Sequence, residues 1–250
     1  MKEYGIKEQE AWILGGSSGL GLRLALEATR RNIVPVVFGR NVNDQKRLVD
    51  LSDRESVLAL CRSIRNLQEQ ELRRVLYFVW NASVFEERPL WNMDDLGAMV
   101  AINILNPTTI VQALVEAKEK IGSPFHLVTI ASRAAWKAWP DQAVYCGSKA
   151  FQAQFSRALA RELERDLKGS RVTIVMPGGI KTNIFNRTSI DPSRFMDPEV
   201  VAEMIWHEVL EQQRVCDWFN VLQQDGQPTV SRDNFVPELA YEQLPRRTIV

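Results

Sequence analysis

The fold is decided by the stretch Ala11-Trp12-Ile13-Leu14-Gly15-Gly16-Ser17-Ser18-Gly19-Leu20-Gly21. A short apolar run, typical of a buried strand, enters a glycine-rich turn and continues into a helical pattern. Glycine permits a tight turn and a close approach of the backbone, and the free N–H groups at a helix start attract an anion. The stretch therefore predicts a strand, turn and helix that bind a pyrophosphate. A glycine-rich turn without a ligand is the alternative.

Short apolar runs alternate with longer amphipathic runs along the rest of the chain. We predict strands at 11–14, 33–38, 47–51, 75–80, 125–130 and 172–176, and helices at about 20–32, 54–72, 93–119, 145–168 and 198–213. This order predicts an α/β fold, in which right-handed crossovers build a doubly wound parallel sheet with helices on both faces. Such sheets bind ligands beyond the carboxyl ends of their strands. Pro35 is irregular within the second predicted strand, because it removes a ladder donor.

The composition is that of an ordinary globular protein. The 250 residues include 31 basic and 31 acidic side chains, and 45% are apolar. Without a broad basic field we expect no nucleic-acid partner. The longest apolar run, 75–80, is far shorter than the roughly 20 residues of a membrane helix, and the charged N-terminus has no apolar leader. We therefore expect a cytoplasmic protein that does not bind membranes.

Residues 10–220 contain no linker, repeat or low-complexity tract, so we predict a single domain over 1–250. The three cysteines show no C-x-x-C pairing, and there are two histidines. These counts argue against a disulfide framework and against a metal site.

A second motif, Tyr145-Cys146-Gly147-Ser148-Lys149, places a phenol and an amine one helical turn apart. A tyrosine titrates near 10 in water, and a nearby ammonium lowers its pKa towards the range of an acid/base catalyst. Ser132 ends the fifth predicted strand and would donate a second hydrogen bond to the reacting oxygen. Cys146 faces about 100° away on the helix, so we expect it to pack rather than react.

The second predicted strand ends at Gly39-Arg40. A dinucleotide fold places there the group that contacts the adenosine ribose, and an acidic residue would bind both ribose hydroxyls of NAD. Arg40 instead offers a guanidinium that pairs with a 2′-phosphate, which favours NADP(H) over NAD(H). A solvated arginine at a strand end is the alternative.

Six motifs in order resemble the short-chain dehydrogenases/reductases, in their compact single-domain branch with a Rossmann-type sheet. The matches are the turn at 14–21, Asp50 after the third predicted strand, Asn81-Ala82 after the fourth, Asn103 in the next helix, the set Ser132, Tyr145 and Lys149, and Pro177-Gly178-Gly179-Ile180-Lys181-Thr182 after the sixth. Leu14 stands where the family has a threonine that ties the turn to the adjacent loop. Trp80 and Ser83 also depart from the family pattern.

The resemblance implies hydride transfer between a nicotinamide and a small carbonyl or alcohol substrate, in the ketone-reducing direction. Tyr145 would be the general acid/base and Ser132 would polarise the carbonyl oxygen. Lys149 would lower the Tyr145 pKa and hold the nicotinamide ribose, and Asn103 would position a water that continues the proton relay. Cofactor contacts would fall on Gly15, Ser17, Ser18, Gly19, Leu20, Gly21, Arg40, Asn41, Asp50, Leu51, Asn81, Ala82, Tyr145, Lys149, Pro177, Gly178, Ile180 and Thr182.

Two other function classes remain open. The first is a sensor or scaffold that binds the cofactor without catalysis, and the second is an epimerase or dehydratase of the longer-chain branch. The filled catalytic positions favour an enzyme over the first, and the glycine spacing and chain length disfavour the second.

The resemblance also bears on the lid, the C-terminus and assembly. Residues 183–197 would form a substrate lid, and 223–250 an extension on the same subunit or a partner. Trp136 and Trp139 would wall the pocket or pack against another subunit.

The helices at 93–119 and 145–168 carry apolar residues on more than one face, and the family pairs these helices across a two-fold axis. We expect a homodimer or homotetramer. The apolar residues are Leu96, Met99, Val100, Ile104, Pro107, Val111, Leu114 and Val115 on the first helix, and Phe151, Phe155, Leu159 and Leu163 on the second.

Overall fold

A sheet of seven strands organises the computed structural model, which describes residues 9–186 and 188–232, apart from the side chain of Gln45. The strands are β1 (Glu10–Leu14), β2 (Val34–Phe38), β3 (Val75–Trp80), β4 (His126–Ile130), β5 (Arg171–Pro177), β6 (Cys216–Gln224) and β7 (Gln227–Ser231). Their order across the sheet is β2-β1-β3-β4-β5-β6-β7. The first six pair in parallel, and β7 runs antiparallel to β6.

Seven α-helices connect and cover these strands within the described residues. They are α1 (Gly19–Arg30), α2 (Arg54–Arg65), α3 (Glu69–Arg74), α4 (Leu96–Val100), α5 (Asn106–Lys120), α6 (Ala143–Asp166) and α7 (Pro198–Glu211). A π-helical turn, Ala101–Leu105, joins α4 to α5, and short 3-10 helices lie at Gln45–Arg47, Leu90–Asn92, Arg133–Ala135 and Asn183–Phe185.

The core has two halves because successive side chains of a strand point to opposite faces. In β1, Trp12 and Leu14 pack into the half that α2, α5 and α6 cover. Ala11 and Ile13 pack into the other half, under α1 and α7. Both faces of β1 are therefore buried, as in a doubly wound sheet. The predicted fold class is confirmed.

The third predicted strand, at 47–51, is wrong. Apart from an isolated bridge between Gly39 and Leu48, the structure leaves this segment without strand pairing. Eight residues, 39–46, separate it from β2, and a parallel crossover needs about a dozen. Strand β2 therefore lies at the sheet edge.

The edge position explains how β2 tolerates Pro35. The Val34 N–H faces β1 and donates to the Gln9 carbonyl at 2.8 Å. The nitrogen of Pro35, the next residue, therefore faces the free edge of the sheet, where no hydrogen-bond donor is needed.

Strands β6 and β7 form a hairpin that the sequence analysis missed. Asp225 and Gly226 link them with φ values of 49° and 78°, the conformation of a two-residue type I′ turn. The Asp-Gly pair is a strong hairpin signal that could have revealed both strands. The hairpin places the start of the predicted extension on this chain's own sheet, and 233–250 lie outside the described residues.

The predicted helix at 54–72 is interrupted between Arg65 and Glu69, where Gln68 begins α3 with a capping box. The predicted helix at 93–119 instead begins at Leu96. The stretch Leu96–Lys120 is long and apolar enough to cross a membrane by length and composition alone, and its most apolar window of 18 residues has a mean hydropathy of 1.5. A core helix passes the same test, and Ile110 and Leu114 of this stretch lie in the sheet-facing core.

Much of the apolar helix surface that we expected at an interface is buried within the chain. Met99, Pro107, Val111, Leu114, Leu159 and Leu163 all belong to the interior. Leu96, Leu105 and Phe151 remain exposed on α4, the π-helical turn and α6. Half of the twelve apolar residues that we expected at an interface are therefore buried within the chain.

Candidate active site

A cavity of about 750 Å³ opens at the carboxyl ends of the parallel strands. Every residue predicted to contact the cofactor lines it except Gly21, and Ser132 lines it as well. Asn103 lies behind the cavity and is fully buried. The fold thus brings together residues from the segments that follow β1 to β5 and from α6, which the sequence spreads over 15–182.

The turn after β1 has no room for a side chain at positions 15 and 21. Gly15 has a φ of +83°, and a Cβ there would lie 2.7 Å from the Ala82 Cα. A Cβ on Gly21 would lie 2.1 Å from the Gly15 carbonyl oxygen, so Gly21 serves close packing rather than the cavity wall. Ser18 precedes α1 and makes no side-chain capping hydrogen bond. The N–H groups of the first helical turn have no carbonyl partner within α1, so the cradle suits a pyrophosphate.

Leu14 lacks the threonine hydroxyl of the family pattern, but other hydrogen bonds hold this turn in place. The N–H groups of Asn81 and Ala82 donate to the Leu14 carbonyl at 3.2 and 2.8 Å. The Asn81 side chain donates to the Gly15 carbonyl at 2.9 Å. These bonds supply the tie between the two loops that a threonine hydroxyl makes in the family pattern.

Arg40 lies exposed at the rim of the cavity, close to Asp50. The Asp50 carboxylate accepts hydrogen bonds from the Ser52 N–H at 2.8 Å and from the Ser52 hydroxyl at 2.7 Å. The Ser52 hydroxyl lowers the pKa of Asp50, and the Arg40 charge adds a smaller effect in the same direction. Position 39 can accept a Cβ without a clash, because the nearest atom would be Ser17 Oγ at 3.5 Å, an ordinary contact distance.

Ser132, Tyr145 and Lys149 converge at the centre of the cavity. Ser132 follows β4, and its Oγ accepts from the Ala134 N–H at 3.1 Å, which fixes it at the start of a 3-10 helix. Tyr145 and Lys149 lie one turn apart on α6, with Lys149 Nζ 5.6 Å from the centre of the Tyr145 ring.

Burial governs the titration of this pair, because it disfavours the charged form of each group. It raises the pKa of Tyr145 to about 12 and outweighs the opposite effect of the Ser132 hydroxyl. It lowers the pKa of Lys149 to about 7. The expected lowering of the Tyr145 pKa by Lys149 is therefore not found in the chain alone. Tyr145 is a neutral phenol near pH 7.

The π-helical turn holds Asn103. Its side-chain Oδ1 accepts from the Val84 N–H at 2.8 Å, and its Nδ2 donates to the Val84 carbonyl at 2.9 Å and to Ser148 Oγ at 3.1 Å. Its backbone carbonyl accepts from Gln152 Nε2 at 2.8 Å. The sequence did not single out Gln152, which is fully buried here. Its spacing of three residues from Lys149 is the signal that could have placed it beside the amine.

Aromatic rings close the cavity near Tyr145. Phe85 packs edge-to-face on Tyr145 with ring centres 4.7 Å apart, and Phe185 packs on Phe85 at 5.6 Å. Phe185 in turn contacts Phe195 at 5.1 Å. Phe85 was not among the predicted site residues, because its loop position carries no periodic signal. Arg187, within the predicted lid 183–197, lies outside the described residues.

Trp136 and Trp139 do not line the cavity. The Trp136 indole N–H donates to Asn220 Oδ1 at 3.3 Å, and Lys137 Nζ lies 4.4 Å above the Trp139 ring. The aromatic wall therefore comes from Phe85 and Phe185 instead.

Among the described residues, no cluster of three or more His, Cys, Asp or Glu side chains could hold a metal ion.

Comparison with known proteins gives the family. Residues 9–192 match the sequence profile of the short chain dehydrogenase family. The chain belongs to this family. The resemblance seen in the sequence is thereby confirmed, and with it the oxidoreductase fold.

Named relatives of this short-chain dehydrogenase are distant. Estradiol 17-beta-dehydrogenase 11 of Rattus norvegicus is 26% identical over 232 residues, which cover 86% of this chain and 76% of that protein. A short-chain dehydrogenase from Sphingobium yanoikuyae in complex with NADPH superposes with a TM-score of 0.72 at 19% identity, covering 84% of this chain and 87% of that one. A 4-hydroxyisoleucine dehydrogenase complexed with NADH gives a TM-score of 0.69 at 18% identity, covering 86% and 97%. At these identities the solved structures show the fold alone.

Proposed function

We propose that this short-chain dehydrogenase is an NADP(H)-dependent oxidoreductase that interconverts a small carbonyl compound and its alcohol. The observation that carries the proposal is that one cavity joins the glycine cradle after β1 to the side chains of Ser132, Tyr145 and Lys149. A nicotinamide cofactor supplies or accepts the hydride when bound. The turn Gly15–Gly21 would hold its pyrophosphate.

Tyr145 is in the protonation state that carbonyl reduction requires. A pKa of about 12 keeps the phenol neutral near pH 7, so it is ready to donate a proton to a carbonyl oxygen. Ser132 would donate a second hydrogen bond to the same oxygen and stabilise the developing negative charge. Lys149 would bind the nicotinamide ribose from the floor of the cavity.

The preference for NADP(H) rests on the chemistry of Arg40. Its guanidinium lies exposed at the cavity rim, where it would pair with a 2′-phosphate. Gly39 provides no carboxylate for the ribose hydroxyls of NAD. Similar solved structures contain NADPH in one case and NADH in another, so their likeness does not decide between the cofactors.

The surroundings of Tyr145 favour an uncharged, partly apolar substrate. Val84, Phe85, Ile184 and Phe185 line this end of the cavity. Aromatic and aliphatic walls bind apolar surface, while Ser132 and Tyr145 orient the carbonyl group. Among the described residues, the ionisable side chains that line the cavity are Arg40, Asp50, Tyr145 and Lys149.

Assembly and location are part of the proposal. Exposed Leu105 and Phe151 lie on helical segments that the family pairs across a two-fold axis, which supports a homodimer or homotetramer. A cytoplasmic location, with neither nucleic acid nor membrane as partner, is the companion expectation from composition.

The test is oxidation of NADPH by the purified chain across ketones, quinones, sugars and acyl thioesters. We expect turnover of an apolar ketone, and a loss of about 100-fold or more in Tyr145→Phe, because the proton donor is gone. NADPH binding, followed by its fluorescence, should stay nearly unchanged in that variant. Tight NADPH binding without turnover of any compound would instead identify a sensor or scaffold, and comparable turnover by Tyr145→Phe would refute the mechanism.

A further inference from the structure

Gln152 lies on α6 directly behind the cavity and is fully buried. Its Nε2 donates to the Asn103 carbonyl at 2.8 Å, and its Oε1 accepts from Lys149 Nζ at 3.0 Å. Lys149 Nζ also donates to the Ile130 carbonyl at 3.0 Å. One amide side chain therefore bridges the π-helical turn and the amine on the cavity floor.

The orientation of this amide is fixed by its partners. A backbone carbonyl only accepts hydrogen bonds, so the Asn103 oxygen requires the NH₂ end of Gln152. The amine of Lys149 requires the oxygen end. A flipped amide would lose both bonds and leave buried polar atoms without partners, which is costly.

We propose that Gln152 is a positioning residue for Lys149, and that its side chain takes the place of the relay water that the family resemblance implies at Asn103. The inference rests on the proposed function. A water exchanges protons with its neighbours, whereas an amide does not titrate near neutral pH. Gln152 thus holds Lys149 in place but closes the proton route behind it, so protons for Tyr145 must enter from the cavity.

The groups that face Lys149 are neutral. They are the Ile130 carbonyl from β4, the Gln152 amide, and the Tyr145 phenol on the same helix. Burial is the cause of the low Lys149 pKa, and no charged side chain from β3, β4 or the π-helical turn contributes to it. A charge introduced at position 152 would therefore act on Lys149 without a competitor.

The first experiment measures the Lys149 pKa in the cofactor-free protein, by NMR of labelled lysine side chains with Lys149→Arg to assign the signal. We expect Gln152→Glu to raise this pKa by about one pH unit or more, because an opposite charge within hydrogen-bond distance favours the ammonium. Gln152→Leu should lower it. Lys118, whose Nζ donates to Leu72 O and Ser123 Oγ and whose pKa is lowered to about 8, serves as an internal reference that should not move.

The matched control is Gln154→Glu, which adds the same charge on the exposed face of α6. It should leave the Lys149 pKa unchanged. An unchanged Lys149 pKa in both Gln152→Glu and Gln152→Leu would overturn the proposal. Because this readout needs neither cofactor nor substrate, it also separates a failure of the proposal from a failure of the proposed function.

The second experiment compares turnover in Gln152→Ala and Gln152→Leu. Alanine leaves a polar space between the Asn103 carbonyl and Lys149, which a water can fill. We expect Gln152→Ala to keep at least about tenfold more turnover than Gln152→Leu, with its pH profile closer to that of the wild type. Equal losses with unshifted pH profiles would mean that Gln152 has only a structural role. If Gln152→Leu fails to fold, Gln152→Glu and Gln152→Ala still decide the matter.

Discussion

The Asn81 side chain donates a hydrogen bond to the Gly15 carbonyl at 2.9 Å. This bond fastens the loop after β3 to the turn after β1, and it orients the Gly15 peptide that lines the cavity. The two loops approach so closely that Gly15 cannot carry a side chain, since a Cβ would overlap the Ala82 backbone.

Gly15→Ala should therefore damage cofactor binding and stability together. The substitution imposes a left-handed backbone on alanine, which costs about 1–2 kcal/mol before the clash with Ala82 is counted. Thermal unfolding and NADPH titration measure the two effects. The control is Gly147→Ala, because a Cβ at Gly147 in α6 meets nothing within 4 Å. That variant should be stabilised by up to about 1 kcal/mol, and a similar response of both variants would contradict the packing argument.

We expect Gly39 and Arg40, the two residues that follow β2, to determine which cofactor binds more tightly. In the double variant Gly39→Asp with Arg40→Ala, a carboxylate replaces the guanidinium at a position with space for it. We expect NADPH to bind at least about tenfold more weakly and NADH more tightly, because the carboxylate accepts from ribose hydroxyls and repels a 2′-phosphate. Isothermal titration with both cofactors gives the ratio. Arg40→Ala alone should weaken NADPH without improving NADH, and an unchanged ratio in both variants would refute the role of Arg40.

His126 should make the fold sensitive to acid. Its ring Nε2 lies 2.7 Å from Thr173 Oγ1, which in turn bonds to Gln212. Burial, with a smaller effect of Arg171, lowers the pKa of His126 to about 3. Between about pH 6.5 and pH 3 the unfolded chain binds a proton here that the folded chain does not, so stability falls as the pH falls, by up to about 1.4 kcal/mol per unit.

Urea unfolding from pH 7 to pH 4 measures this effect in the wild type and in His126→Gln. The variant has no imidazole to protonate, so its free energy of unfolding should decline less steeply over that window. The carboxylates titrate in both proteins and cancel in the comparison. Parallel curves would show that His126 does not contribute.

Phe151 should matter for assembly. It is 38% exposed and stacks on Phe155 at 5.7 Å, while Phe155 packs against the buried Trp80. Phe155→Glu would therefore disturb the core as well as any interface, and Phe151→Glu is the cleaner variant. We expect the wild type to form a homodimer or homotetramer of its 28.6 kDa chains, and Phe151→Glu to dissociate it. Light scattering decides, with Leu26→Glu as the control, because Leu26 is an exposed apolar residue on α1, away from the two predicted interface helices. A fully active monomeric wild type would rule out the interface.

The sequence by itself determined the features that depend on neighbours along the chain. The strand, turn and helix of 11–30 follow from apolar runs and glycine positions. The pairing of Tyr145 with Lys149 follows from helical spacing. The Asp225-Gly226 turn was not predicted, although the dipeptide alone indicates a hairpin turn. In each case a local rule of backbone geometry is sufficient.

Tertiary structure decided the rest, because burial and pairing depend on which segments meet. The segment 47–51 has strand-like residues, but the short connection from β2 denies it a sheet partner. Gln152 reads as a surface residue until the π-helical turn brings the Asn103 carbonyl to its amide. The pKa values of Tyr145 and Lys149 moved apart because folding buries both groups, and the spacing of two residues on a helix does not report how much water reaches them.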